Sequence, residues 1–134
     1  MRIQRLLAVL VVTLVFTTFG GLVSAHHAVN GYDKTKPMTM KGIVMEWRWR
    51  NPHVFLVWKV TDEGGNVVEW TGEMASTMTM TSLGLSRTSF KAGDEVTLEV
   101  FPASGGTPQS ILRRVLMNGK VVVSQNPLLG EGAR

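Results

Sequence analysis

The chain has 134 residues, with 14 Lys or Arg against 10 Asp or Glu, three histidines and no cysteine. That length holds one domain with a modest core, and the lack of cysteine excludes disulfides, thiolate nucleophiles, thiolate ligands and a lipid-anchored lipoprotein. The net charge of +4 falls to +2 once residues 1–25 are set aside, because Arg2 and Arg5 leave and no acid leaves with them; so small a balance, spread along the chain, gives no electrostatic footprint for nucleic acid.

Residues 1–25 have the layout of a secretory signal peptide: Arg2 and Arg5, an apolar run from Leu6 to about Phe16, and a small-residue exit at Val23-Ser24-Ala25. Cleavage after Ala25 is expected, which places the mature protein in the periplasm or outside the cell and starts it at His26. An uncleaved anchor is the competing reading. It is weakened by Thr13, Thr17, Thr18, Gly20 and Gly21, since a spanning helix needs ~20 mostly apolar residues, and no stable membrane insertion is expected after processing.

Residues 26–37 read as a polar lead-in, and short β-type runs separated by turn signals follow. In the first run, Met38 to Trp49, the apolar parity switches from Met40, Gly42 and Val44 to Met45, Trp47 and Trp49, which predicts a bulge near Gly42. Asn51-Pro52 ends that run, because proline cannot donate to a ladder. His53 to Thr61 reads as a central strand with Val54, Leu56, Trp58 and Val60 on one face. Asp62-Glu63-Gly64-Gly65 is a hairpin loop and Asn66 to Met74 its return strand. Residues 75–90 fit a short helix or an irregular crossover. Glu95 to Phe101 alternates cleanly with Val96, Leu98 and Val100 inward, and Ile111 to Met117 pairs with Val121 to Ser124 around Asn118-Gly119, a dipeptide suited to a two-residue turn.

Five to six strands with one short helix predict an all-β domain over residues 26–124, a small β-barrel of the oligonucleotide/oligosaccharide-binding (OB-fold) type, with a β-sandwich as the alternative. Residues 125–134 read as a flexible tail.

Histidine carries the chemistry. If the mature chain begins His26-His27, the free α-amine and the ring of the first residue can chelate one metal ion, and a further imidazole completes a nitrogen-rich planar site suited to Cu(II). His53, after Asn51-Pro52 at a strand start, is the remaining histidine, so the predicted metal ligands are His26, His27 and His53 and the predicted cofactor is copper. Solvated terminal histidines and a satisfied core-edge His53 are the plainer alternative. The Met-Thr-Met triplets at Met38 to Met40 and Met78 to Met80 would each present two thioethers on one face if they lay in strands, although methionines more often fill irregular gaps in a core. The four tryptophans are expected in the core rather than on a stacking platform, with Arg48 and Arg50 placed for cation–π contacts. Glu69 and Glu73 read as solvated strand positions, and no Gly-x-Ser-x-Gly elbow, phosphate loop or paired zinc-protease histidines appear. The chain is therefore expected not to be an enzyme, its partner being a metal ion or, on a second reading, a periplasmic protein or glycan held without metal.

Taken together, Ala25-His26-His27, Trp49-Arg50-Asn51-Pro52-His53, Glu73-Met74-Ala75-Ser76, Gly93-Asp94 and Asn118-Gly119-Lys120 resemble a domain-of-unknown-function family of short exported bacterial proteins. The resemblance implies export and a β-rich fold, and makes the three histidines part of one recurring pattern. This chain departs from it at Ala28, where the family has Ser, and at Thr77, where it has Pro. A second, fold-level resemblance is to the periplasmic copper chaperone of the Cus efflux system, on the order of Trp70, Met78, Met80 and the run Lys91 to Val96, with a wider gap between the tryptophan and the methionines here.

Overall fold

The computed structural model describes residues 31–126 and 131–132; the signal-like segment, His26 and His27 lie outside the described residues. The elements are β1 (Met38–Arg48), β2 (Phe55–Thr61), β3 (Val67–Glu73), α1 (Thr77–Ser82), β4 (Glu95–Pro102), β5 (Gln109–Met117), β6 (Lys120–Asn126) and β7 (Glu131–Gly132). Neighbouring strands run β3-β2-β1-β4-β5-β6-β7, and β3 pairs a second time, in parallel, with β5 over Thr71–Glu73 and Gln109–Ile111. That extra ladder closes β1 to β5 into a five-stranded barrel, with β6 and the two-residue β7 continuing beyond it. The result is the small barrel and not the sandwich, and the helix falls between the third and fourth strands as in the OB type.

The barrel is built around one tryptophan. Trp58 is fully buried, and the strands on either side of it carry glycine where they pass its ring. A Cβ on Gly42 of β1 would lie 2.4 Å from Trp58 Cδ1, and one on Gly72 of β3 would lie 2.8 Å from Trp58 Cζ3 and 2.6 Å from Leu112. Gly42 is therefore room for the indole and not a bulge. The bulge falls three residues later, where Val44 pairs with Trp58 and Glu46 with Val57, so that Met45 is extra. It produces the parity switch read in the sequence: before it Val44 points inward, and after it Trp47 stands opposite the buried Leu56. Trp47 then meets Phe90 edge-on with centroids 4.9 Å apart and donates its Nε1–H to the carbonyl of Ser86 at 2.9 Å. Trp70 stacks on Trp58 at 6.3 Å. All four tryptophans pack in or against the core.

Within residues 75–90 only Thr77–Ser82 is helical, capped by Ser76, whose hydroxyl accepts from the Thr79 N–H. Thr77 occupies the first helical position, where proline is favoured because its missing N–H would have no helical partner. Here that N–H finds one: Asn51 Oδ1 accepts from both the Thr77 N–H and its hydroxyl, the latter at 2.7 Å. Met80, Leu85 and Phe90 are buried in the core cluster, so this segment closes one end of the barrel.

Asn118-Gly119 makes the tight turn, both residues at positive φ between the paired Met117 and Lys120. The sheet continues two residues past Ser124. Gln125 is buried, its Nε2–H donating to the Leu112 carbonyl at 2.5 Å, and Gln125 and Asn126 pair with β7. Residues 125 and 126 thus belong to the folded unit and not to a loose tail, because one glutamine side chain ties the strand end to β5.

Candidate functional site

His53 stands between the Asn51-Pro52 break and the start of β2. The backbone around it is fixed on both sides: the Val54 N–H donates to the Ala75 carbonyl at 3.0 Å, and the Met74 N–H donates to the Val54 carbonyl at 2.9 Å. Val54 is fully buried, so the alternation of the strand turns the neighbouring His53 outward. Its side chain is 44% exposed and its Nδ1 points at Oε1 of Glu73.

Glu73 was expected to be a solvated strand position, and it is not. It ends β3 opposite Phe55, which makes it the same-face diagonal neighbour of His53 on the outside of the barrel. Its side chain is only 22% exposed and is shared: one oxygen takes His53, and the other accepts the hydroxyl of Tyr32 at 3.4 Å. Burial first, then the adjacent Glu73 charge and the hydrogen bond to it, raise the Tyr32 phenol above its ordinary pKa.

Tyr32 belongs to the segment that leads into the barrel. The Gly31 carbonyl accepts from the Ser104 N–H at 2.8 Å, Tyr32 forms a bridge with Ala103, and the Asp33 N–H donates to the Pro102 carbonyl at 2.8 Å. The incoming chain is therefore laid against the end of β4, and its tyrosine reaches the rim that carries His53. Of the three predicted ligands, His53 lies on the rim that the Tyr32 side chain reaches, while His26 and His27 lie outside the described residues. Sequence reasoning missed Tyr32 and Glu73. A four-residue loop at Asp62 to Gly65 would set Phe55 against Gly72, whereas the observed ladder sets Thr61 against Val67 and so Phe55 against Glu73; nothing in the sequence pointed to Tyr32.

The two methionine triplets lie in different elements, the first in β1 and the second in α1. Met78 is 80% exposed whereas Met80 is fully buried, because the segment is helical and residues two apart on a helix point in different directions. Met40 turns its sulfur inward and accepts the Trp58 Nε1–H at 3.3 Å. The arginines also depart from expectation: Arg48 pairs with Glu46 at 2.7 Å, and Arg50 lies 5.9 Å from the centre of the Phe55 ring instead of over a tryptophan. Among the described residues no group of three or more His, Asp or Glu side chains converges on one point, and no helix is long and apolar enough to cross a membrane.

No curated protein and no solved structure matches the chain. A family model matches residues 15–112, from within the apolar N-terminal run to the middle of β5, and the chain belongs to that family, DUF6152, a family of unknown function.

Proposed function

We propose that the chain is an exported, non-catalytic metal-binding protein that holds copper through His53 and the pair His26-His27. The observation that carries this reading is the relay from Tyr32 through Glu73 to His53. A histidine whose Nδ1–H donates to a carboxylate is held in one tautomer and orientation, which leaves its other nitrogen, Nε2, free to face a metal.

The missing donors lie within covalent reach. Gly31 is tied to Ser104 beside this rim, and at up to ~3.3 Å per residue His27 can stand about 13 Å from it and His26 about 17 Å. With His26 at the amino terminus, its α-amine and ring supply a chelate, and His53 supplies a ring from a rigid scaffold, a nitrogen-rich set suited to Cu(II).

Cu(II) titration of protein whose intact mass shows a start at His26 tests the reading. His53→Ala and a form with one residue added ahead of His26 should each lose affinity. Glu73→Gln, which keeps every proposed ligand, should weaken binding by about 10- to 100-fold. Equal copper binding by the processed, extended and His53→Ala forms would overturn the site. No saturable binding at all would favour an interaction module that recognises a protein or glycan without metal.

A further inference from the structure

At the end of β2 remote from His53, the outer surface of the barrel sinks into an open cleft of about 450 Å³ between β1, β2, β4 and β5. From Phe55, next to His53, to Thr61 the strand runs roughly 20 Å, so the cleft is separate from the histidine rim. Its chemistry follows from register. Ile43 of β1 pairs with Lys59 of β2 on one side and with Glu95 of β4 on the other, and Lys41 pairs with Thr97. Lys41 and Lys59 are therefore same-face diagonal neighbours on adjacent strands, at a spacing of about 7–8 Å.

Two lysines at this backbone spacing on one face can turn both ammonium groups toward the same anion. Neither lysine forms an ion pair among the described residues. Glu69 stands across from Lys59 on β3 and outside the cleft wall; its charge also bears on Arg48, whose pKa is raised first by the hydrogen bond to Glu46 and then by the Glu46 and Glu69 charges. Glu95 is the single carboxylate in the wall, so the lining carries one positive charge in excess. Thr61 and Thr97 add hydroxyl donors, and Asn118 and Gly119 of the β5–β6 turn also line the cleft. Ile43 and Leu116 supply an apolar patch in the same wall.

We propose that this cleft binds a phosphate group carried on a small organic moiety. Lysine is a compact charge that suits phosphate, hydroxyl and turn donors complete the hydrogen bonding, and the volume left over, lined by Ile43 and Leu116, takes the organic part. The phosphate can arrive on a soluble monoester or on a lipid headgroup, since the recognised chemistry is the same.

The test is an amide chemical-shift titration of the protein with glycerol 3-phosphate, and in a second arm with vesicles of phosphatidylglycerol set against phosphatidylcholine. Saturable shifts, or in the vesicle arm selective broadening, centred on Gly42, Thr97 and Gly119 are expected in at least one arm, and the arm that responds identifies the carrier. The double variant Lys41→Gln, Lys59→Gln should weaken the response roughly tenfold, while His53→Ala should leave it unchanged, which keeps this site distinguishable from the metal reading. Lys41→Gln alone, at an exposed strand position, should give an intermediate loss and serves where the double variant fails to fold. No response in either arm, a response centred elsewhere, or one undiminished in the lysine variants overturns the proposal.

Discussion

Tyr32 is the only tyrosine in the chain, so its titration can be followed without interference from another phenol. Its raised pKa comes from burial and from Glu73, and the sign of the consequence follows. A phenol whose folded pKa lies above the unfolded value favours the fold fully at pH below about 10, and that contribution is lost as pH rises through the folded pKa. Tyrosinate absorbance should therefore rise with a midpoint above that of free tyrosine, and Glu73→Gln should move the midpoint back down. The alkaline loss of stability should be smaller in Tyr32→Phe than in the parent; an unshifted midpoint in the parent protein would show that the Tyr32–Glu73 contact does not persist in solution. Trp58 sets the other residue-scale constraint. Gly42→Ala places a methyl 2.4 Å from the indole and 2.9 Å from the Lys59 carbonyl, and Gly72→Ala places one against Leu112. Neither neighbour is a flexible chain end, so each variant should cost about 1–3 kcal/mol in denaturant unfolding, as overpacked cores do. Gly31→Ala, which meets nothing within 4 Å, is the matched control.

The six-residue helix α1 has its energetics concentrated in one side chain. It is too short to be stable alone, carries no acid in its first turn and no base in its last, and is held by the Ser76 cap, the bonds to Asn51 and the burial of Met80. Met80→Ala should lose about 2–5 kcal/mol because it leaves a cavity at the closed end of the barrel. Met78→Ala, two residues away and 80% exposed, should be close to neutral. Equilibrium denaturation of the pair measures directly whether the second Met-Thr-Met stretch serves packing; equal, small effects from both would contradict the plug. Asn51 also gives the loop before His53 a structural tie to α1, so the rim and the plug are one mechanical unit.

For the whole molecule, local pattern and long-range closure divided the determination between them. Strand positions, the Asn118-Gly119 turn and the inward set Val54, Leu56, Trp58, Val96, Leu98 and Val100 were legible because period-two alternation and turn chemistry are local properties of the chain. The parity switch in β1 was legible too, but its location was not. Gly42 looks like a bulge from sequence because strand glycines often mark one, and only the approach of Trp58 from the next strand shows that the missing side chain makes room. At the candidate site, His53 was legible from its place after Asn51-Pro52, and Glu73 was misread as a solvated position. A carboxylate at an outward strand position is indistinguishable by periodicity from any other until the register of β2 and β3 sets it beside a particular histidine. Sequence by itself determined which segments are strands, which faces are apolar and where the chain turns. The parallel β3–β5 ladder that closes the barrel, the fit of the indole between two glycines and the meeting of Tyr32, Glu73 and His53 were decided only by tertiary structure, because each joins residues on separate segments of the chain whose proximity no local rule encodes.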